Sequence, residues 1–198
     1  MKNNILLDKL PQKASNGLKI RTDFRESIKF ELLMQDREIE KIDKVRLAIK
    51  LYYYEPEKIK DYKKAVEDIV WFYKTGKEKQ EDEEDNEEEK QVNEENTQTK
   101  QIYSYEFDAE YIYSAFMEQY KIDLNSIRYL HWWKFKYLFN NLNENVLFSK
   151  IMGYRCMNVA KIKNNNMRKF YEKMQRLYKL PDMRSEEEKE NDFANELW

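Results

Sequence analysis

Between Tyr129 and Arg155 the chain reads YLHWWKFKYLFNNLNENVLFSKIMGYR, a stretch whose dense aromatic rings recur at helical rather than strand spacing. Trp132, Phe135, Phe139 and Leu142 fall at i, i+3, i+7 and i+10. Leu130, Trp133, Tyr137 and Leu138 form a second apolar row, roughly a hundred degrees away around the same helix. A helix at a domain surface needs only one buried stripe. Two stripes imply either a central helix wrapped by its neighbours, the preferred reading, or a helix that keeps one face for a partner.

The rest of the chain can supply those neighbours. Its 198 residues are 41% hydrophobic and include 10 Phe, 15 Tyr and 4 Trp, enough for a core. Three Gly and three Pro leave few means of turning tightly, while abundant Lys, Glu, Leu, Met and Gln favour helix. The fold class expected is mainly α: a single helical domain of about six or seven helices. Cys156 stands alone, so no internal disulfide forms and a reducing compartment suits the chain. No apolar run approaches the ~18 residues of a membrane span, and the start, MKNNILLDKLPQK, is too short in apolar residues for a secretory signal. A soluble protein with no membrane partner is expected.

The formal net charge of -2 hides an uneven distribution. Glu78 to Asn96 carries eleven acids against Lys79 and Lys90 and almost nothing apolar, so it reads as a disordered acidic insertion. Val146 to Pro181 carries nine Lys and Arg against Glu172 alone, and Asp182 to Trp198 carries seven acids against Arg184 and Lys189. The organisation expected is residues 1–76 as an N-terminal hairpin plus helices, 77–100 as the acidic flexible insertion, 101–181 as the aromatic-rich helical part packing with 20–76 as one domain, and 182–198 as an acidic tail.

Local signals place the elements. Asn16-Gly17 is a two-residue turn of the kind that closes a short β-hairpin. Thr22 or Asp23 caps a first helix to Gln35, with Glu26 placed for a capping box. Ile42, Val45, Ile49 and Tyr52 mark a second helix, which stops near Tyr54 because Pro56 disfavours helical geometry at Glu55. Asp61 caps a third, with Tyr62, Ala65, Val66, Ile69, Val70 and Tyr73 as its buried stripe and Gly76 as its αL terminator. A fourth starts near Asp108, the two-striped helix covers about Ser126 to Asn141, and Asn143 caps a short helix to Gly153. Met167, Phe170, Tyr171, Met174, Leu177 and Tyr178 line a last one, closed by Pro181.

Catalytic signals are missing. His131 is the sole histidine, and with one cysteine it cannot build a zinc site of the usual spacing. A Cys156–His131 nucleophile pair lacks an orienting third group, and a structural histidine at the rim of an aromatic core is the stronger reading. No glycine-rich phosphate loop is present. The expectation is therefore no enzyme, no catalytic residue, no metal and no cofactor. The cations Lys161, Lys163, Arg168, Lys169, Lys173, Arg176 and Lys179 near Phe170 and Tyr171 resemble a nucleic-acid footprint. A solvated helix face explains them better, because two acidic tracts in the same molecule compete for that surface.

The strings LHWWKFKYLF at Leu130 to Phe139 and LFSKIMGYR at Leu147 to Arg155 resemble the signature of the gene-product-fifteen family of phages and prophages of Gram-positive bacteria. IRTDFR at Ile20 to Arg25, WFYKTG at Trp71 to Gly76 and YEFDAEYIYSAFMEQYKIDL at Tyr105 to Leu124 are similar to further segments of that family, in the expected order. The family's genes typically lie between those of the major tail protein and the tape measure protein, the usual place of tail assembly chaperones. The resemblance thus implies a protein of phage tail morphogenesis, at work in the host bacterial cytoplasm during assembly. Its implied partner is the tape measure protein or another tail protein, with a homo-oligomer as an alternative and a virion tail component as the rival role. Such a partner would present apolar helical stripes, for which Trp71, Trp132, Phe135 and Phe139 are the candidate anchors, with ordinary core as the alternative for each.

Overall fold

The computed structural model describes residues 5–77 and 101–182. Among these, seven α-helices form: α1 (Phe24–Gln35), α2 (Lys41–Tyr52), α3 (Tyr62–Tyr73), α4 (Ala109–Tyr120), α5 (Trp132–Asn140), α6 (Leu147–Cys156) and α7 (Asn165–Leu177). Short 3-10 turns cover Pro56–Lys58 and Val159–Lys161. Apart from Lys77 and Asp182, the expected acidic insertion and acidic tail lie outside the described residues. One hydrophobic cluster joins both sides of the acidic segment, from Ile20 through Phe72 and from Tyr105 through Phe148. Helix α1 packs against α2 and α5, α2 against α3, α4 against α6, and α6 against α7.

The expected N-terminal hairpin is not formed. Asn16-Gly17 does make a tight turn, with Gly17 at φ +82, a conformation that suits glycine. Around it lies only one isolated antiparallel bridge, Lys13 to Lys19. After Ile20 N–H donates to Gln12 at 3.1 Å the ladder ends, because the next carbonyl on that edge, Thr22, accepts the Trp132 N–H at 2.8 Å. The other edge of 19–21 pairs with the end of α2, where Arg21 N–H donates to the Tyr52 carbonyl at 2.6 Å and Tyr54 N–H to Lys19 at 3.3 Å.

Helix α1 starts where the sequence places it. The Asp23 carboxylate accepts the Arg25 N–H at 3.1 Å, as an N-cap should. The capping box is not closed, because Glu26 turns to Lys29 at 3.2 Å, and Asp23 Oδ2 instead accepts the Leu130 N–H at 3.1 Å. That last bond explains the main departure in the aromatic stretch. Helix α5 begins at Trp132 and not near Ser126, since the segment before it is held extended beside the start of α1. Phe24 N–H donates to Leu130 at 2.9 Å and Trp132 N–H to Thr22 at 2.8 Å. The Arg25 guanidinium donates to the Leu124 and Ile127 carbonyls at 2.9 and 2.8 Å. Backbone groups that a longer helix would pair internally are thus already engaged.

His131 then caps α5 in place of the usual Ser, Thr, Asp or Asn. Its Nδ1 accepts the Trp133 N–H at 3.1 Å, which makes Nε2 the protonated nitrogen, donating to the Pro11 carbonyl at 3.0 Å. Burial pushes the imidazole pKa below its ordinary 6.5, with Lys134 adding to the effect and the Pro11 bond opposing it. The neutral ring is therefore the folded form. An unfolded chain takes up a proton as the pH falls through about 6.5 while the folded chain resists, so this contribution to stability is present above that pH and declines below it. The urea midpoint should be lower at pH 5.5 than at pH 7.5. That difference should shrink in His131→Asn, which can still cap the helix but does not titrate.

The end of α3 is built around the paired indoles. Thr75 N–H returns to the Phe72 carbonyl at 3.0 Å and Gly76 N–H to Trp71 at 2.9 Å, a Schellman closure with Thr75 at φ 60 and Gly76 at φ 72. Trp132 Nε1 donates to the Tyr73 carbonyl and Trp133 Nε1 to the Phe72 carbonyl, both at 2.8 Å, so the two indoles bond successive carbonyls of the last helical turn. A methyl group on Gly76 would sit 2.8 Å from Cη2 of the buried Trp133 ring. Gly76→Ala should therefore cost about 2–4 kcal/mol, left-handed backbone strain and the displaced ring together, read as a lowered urea midpoint.

Candidate partner-binding surfaces

Three of the four candidate anchors are core. Trp132 and Phe135 are fully buried and Phe139 nearly so. Phe135 lies sandwiched between Phe24, with ring centroids 4.9 Å apart, and Phe116, at 5.0 Å, both near parallel. Trp132 stacks on Tyr73 at 5.3 Å, and Phe139 meets Phe148 edge-on at 5.5 Å. The two stripes of α5 are thus covered by α1, α3, α4 and α6 together, as the wrapped-helix reading expects. Rings packed on every side have no face to offer a partner, so these three cannot serve as surface anchors in this fold. Trp71 differs: 36% exposed, it lies edge-on against Trp133 at 5.5 Å on the outer side of α3.

One rim of the aromatic core is polar. Lys136 Nζ lies 5.4 to 5.9 Å from the ring centres of Tyr103, Tyr105, Trp132 and Phe139 and donates to the Tyr103 hydroxyl at 3.1 Å. Tyr73 donates its hydroxyl to Glu31. Burial, followed by the nearby Glu31 carboxylate, raises the Tyr73 hydroxyl far above the ordinary tyrosine range. These groups satisfy one another within the fold.

The remaining ionisable groups are structural as well. Both nitrogens of His131 are engaged by backbone, which leaves neither for a pairing with Cys156, an exposed thiol at the end of α6. Among the described residues no group of three or more His, Cys, Asp and Glu could hold a metal ion. Arg155 and Asp108 form a buried bidentate pair at 2.6 and 2.8 Å. Asp108 also accepts the Ser104 N–H at 2.9 Å, and Arg155 donates to the Ile102 and Tyr178 carbonyls at 3.0 and 2.7 Å. One guanidinium therefore fastens α6 to the segment entering α4 and to the end of α7.

Exposed apolar surface lies elsewhere, on α2, the start of α3 and α7. In α2, Ile49 and Tyr52 are buried, but Ile42 is 59% exposed and Val45 also reaches solvent. With Pro56 and the exposed Tyr62 at the start of α3 they line a groove of about 730 Å³, edged by Arg46, Lys50 and Glu57. The buried residues of α2 are Ala48, Ile49 and Tyr52, all in its C-terminal half, so its stripe outruns the core. Helix α7 goes further, with none of its residues buried. It rests on α6 through Tyr178, stacked on Tyr154 at 6.1 Å, and through Gln175, which donates to the Tyr154 and Met157 carbonyls at 2.9 and 2.7 Å. Phe170 and Tyr171 also meet Tyr154 edge-on, at 6.0 and 6.1 Å, but the seat leaves Met167, Leu177 and about half of Phe170 in solvent. The signal for both surfaces was in the sequence as stripes on terminal or peripheral helices, but periodicity does not tell covered from uncovered.

Four of the sequence motifs meet in space. Asp23 and Arg25 bond the backbone from Leu124 to Leu130, and Phe72, Tyr73 and Gly76 receive the indoles of Trp132 and Trp133. No helix among the described residues is long and apolar enough to cross a membrane. No curated protein and no solved structure matches the chain. The model of a protein family described as Bacteriophage Gp15 protein matches residues 6–180, nearly the whole chain, and the chain belongs to that family.

Proposed function

We propose that the protein acts in phage tail morphogenesis as an assembly chaperone, holding the tape measure protein in the host bacterial cytoplasm until tail tube subunits replace it. The observation that carries this reading is the exposed apolar surface on α2 and α7 of a phage-family chain whose aromatic core is already complete without it. A long helical client needs its apolar stripes covered before assembly, and two exposed helix faces on a rigid core suit that task. The reading requires neither a catalytic step nor a cofactor.

Co-expression with the tape measure protein of the same phage, followed by a pull-down, should recover a complex. Mass spectrometry of purified particles should then find the protein absent. A fixed copy number in the particle would assign it instead to the finished tail, and no complex with the tape measure protein would refute the proposed partner.

A further inference from the structure

We infer that the outer strip of α7 is a docking site for an acidic amphipathic helix, one whose apolar row is bordered by Asp or Glu. The inference deepens the chaperone reading by naming the surface and the chemistry of its client. Met167, Phe170 and Leu177 fall at i, i+3 and i+10 on α7, with the half-buried Met174 between them at i+7, so they form one continuous ridge along the helix. Beside it runs a row of cations, Lys169, Lys173 and Arg176 at i, i+4 and i+7. Lys173 is the helical neighbour of both Phe170 and Leu177.

The cations are available. Arg168 is committed to the Ile162 carbonyl at 2.7 Å and Arg155 is buried against Asp108. Among the described residues, Lys169, Lys173 and Arg176 are exposed and form no salt bridge. An apolar ridge with a parallel positive edge is complementary to an apolar ridge with a parallel negative edge, and the pairing fixes both partner and direction of approach.

A nucleic acid fits less well. The ridge is methionine, phenylalanine and leucine at helical spacing, which interdigitates with another helix. The chain as a whole is negative, with eleven acids in Glu78 to Asn96, so a long polyanion meets repulsion beyond the strip. A client helix with a few carboxylates responds mainly to cations within a Debye length of about 8 Å.

The test uses the full chain and two labelled synthetic helices, identical in their leucine ridge but edged by glutamate in one and lysine in the other. Fluorescence anisotropy should give binding about tenfold or more tighter for the glutamate helix. That preference should be lost in the double variant Lys169→Glu, Lys173→Glu, and binding itself in Phe170→Ser. All three positions are exposed, so circular dichroism should be unchanged. Equal affinity for the two helices, or full binding by either variant, overturns the inference, as does duplex DNA that displaces the glutamate helix with a steep salt dependence. If co-expression captures no tape measure protein while the peptide results hold, the chaperone reading fails and the docking strip stands. If the charge-reversed variant still captures that protein in full, the strip is overturned and the reading stands.

Discussion

Arg155→Ala is expected to remove about 3–5 kcal/mol of stability, one of the two largest losses of any single substitution described here. Truncation leaves Asp108, only 1% exposed, as an unpaired charge, and strips a donor from the Ile102 and Tyr178 carbonyls. Because Arg155 joins α6 to both the entry of α4 and the end of α7, the loss should also loosen α7, which has no buried residue of its own. Urea unfolding followed by circular dichroism measures the first effect, and faster amide exchange in residues 165–177 the second. The double replacement Arg155→Met, Asp108→Leu should cost less than Arg155→Ala, since it leaves no buried charge without a partner. A single-substitution cost below about 1 kcal/mol would place the pair among exposed ion pairs and contradict its buried geometry.

Phe135→Ala is the second, at about 3–5 kcal/mol. The ring is fully buried between Phe24 and Phe116 and is within 6.2 Å of Trp132, Tyr105 and Phe139 as well, so its removal opens a cavity lined by rigid rings that cannot collapse. Phe170→Ala, on the same chemistry, should change stability by no more than about 0.5 kcal/mol, because that ring is 48% exposed and, among the described aromatic residues, touches only Tyr154 and Tyr171. The contrast between two phenylalanines on two helices separates core from surface. A small cost at Phe135 would mean that α5 is not the centre of the fold.

Most of the helices were legible in the sequence because their signals are local. Asp23 and Asp61 cap α1 and α3 as their positions imply, and Pro56 ends the α2 region within a few residues of the expected point. What the sequence did not reveal was set by distant partners. The start of α5 depends on Asp23 and Arg25, more than a hundred residues away, which bind the Leu130 N–H and the Ile127 carbonyl. The hairpin stops short because the Thr22 carbonyl on its edge is taken by the distant Trp132 N–H. The aromatic anchors were misplaced for a related reason. Ring density marks where packing is strongest, and strong packing is completed inside the chain at Trp132, Phe135 and Phe139, whereas the open faces at Ile42, Val45, Phe170 and Leu177 lie on amphipathic stripes that periodicity alone does not mark as open. Only Trp71 keeps part of the accessibility that an anchor needs.

In the proposed function the ring-rich helix α5 is an internal scaffold, and clients are held on the peripheral faces it supports. Hydrogen exchange of the protein alone and in complex with the tape measure protein tests this most directly. New protection is expected over residues 165–177 and 41–52, with 132–140 already protected before binding and unchanged after it. Protection that appears first over 132–140, with 165–177 and 41–52 unaffected, would contradict it.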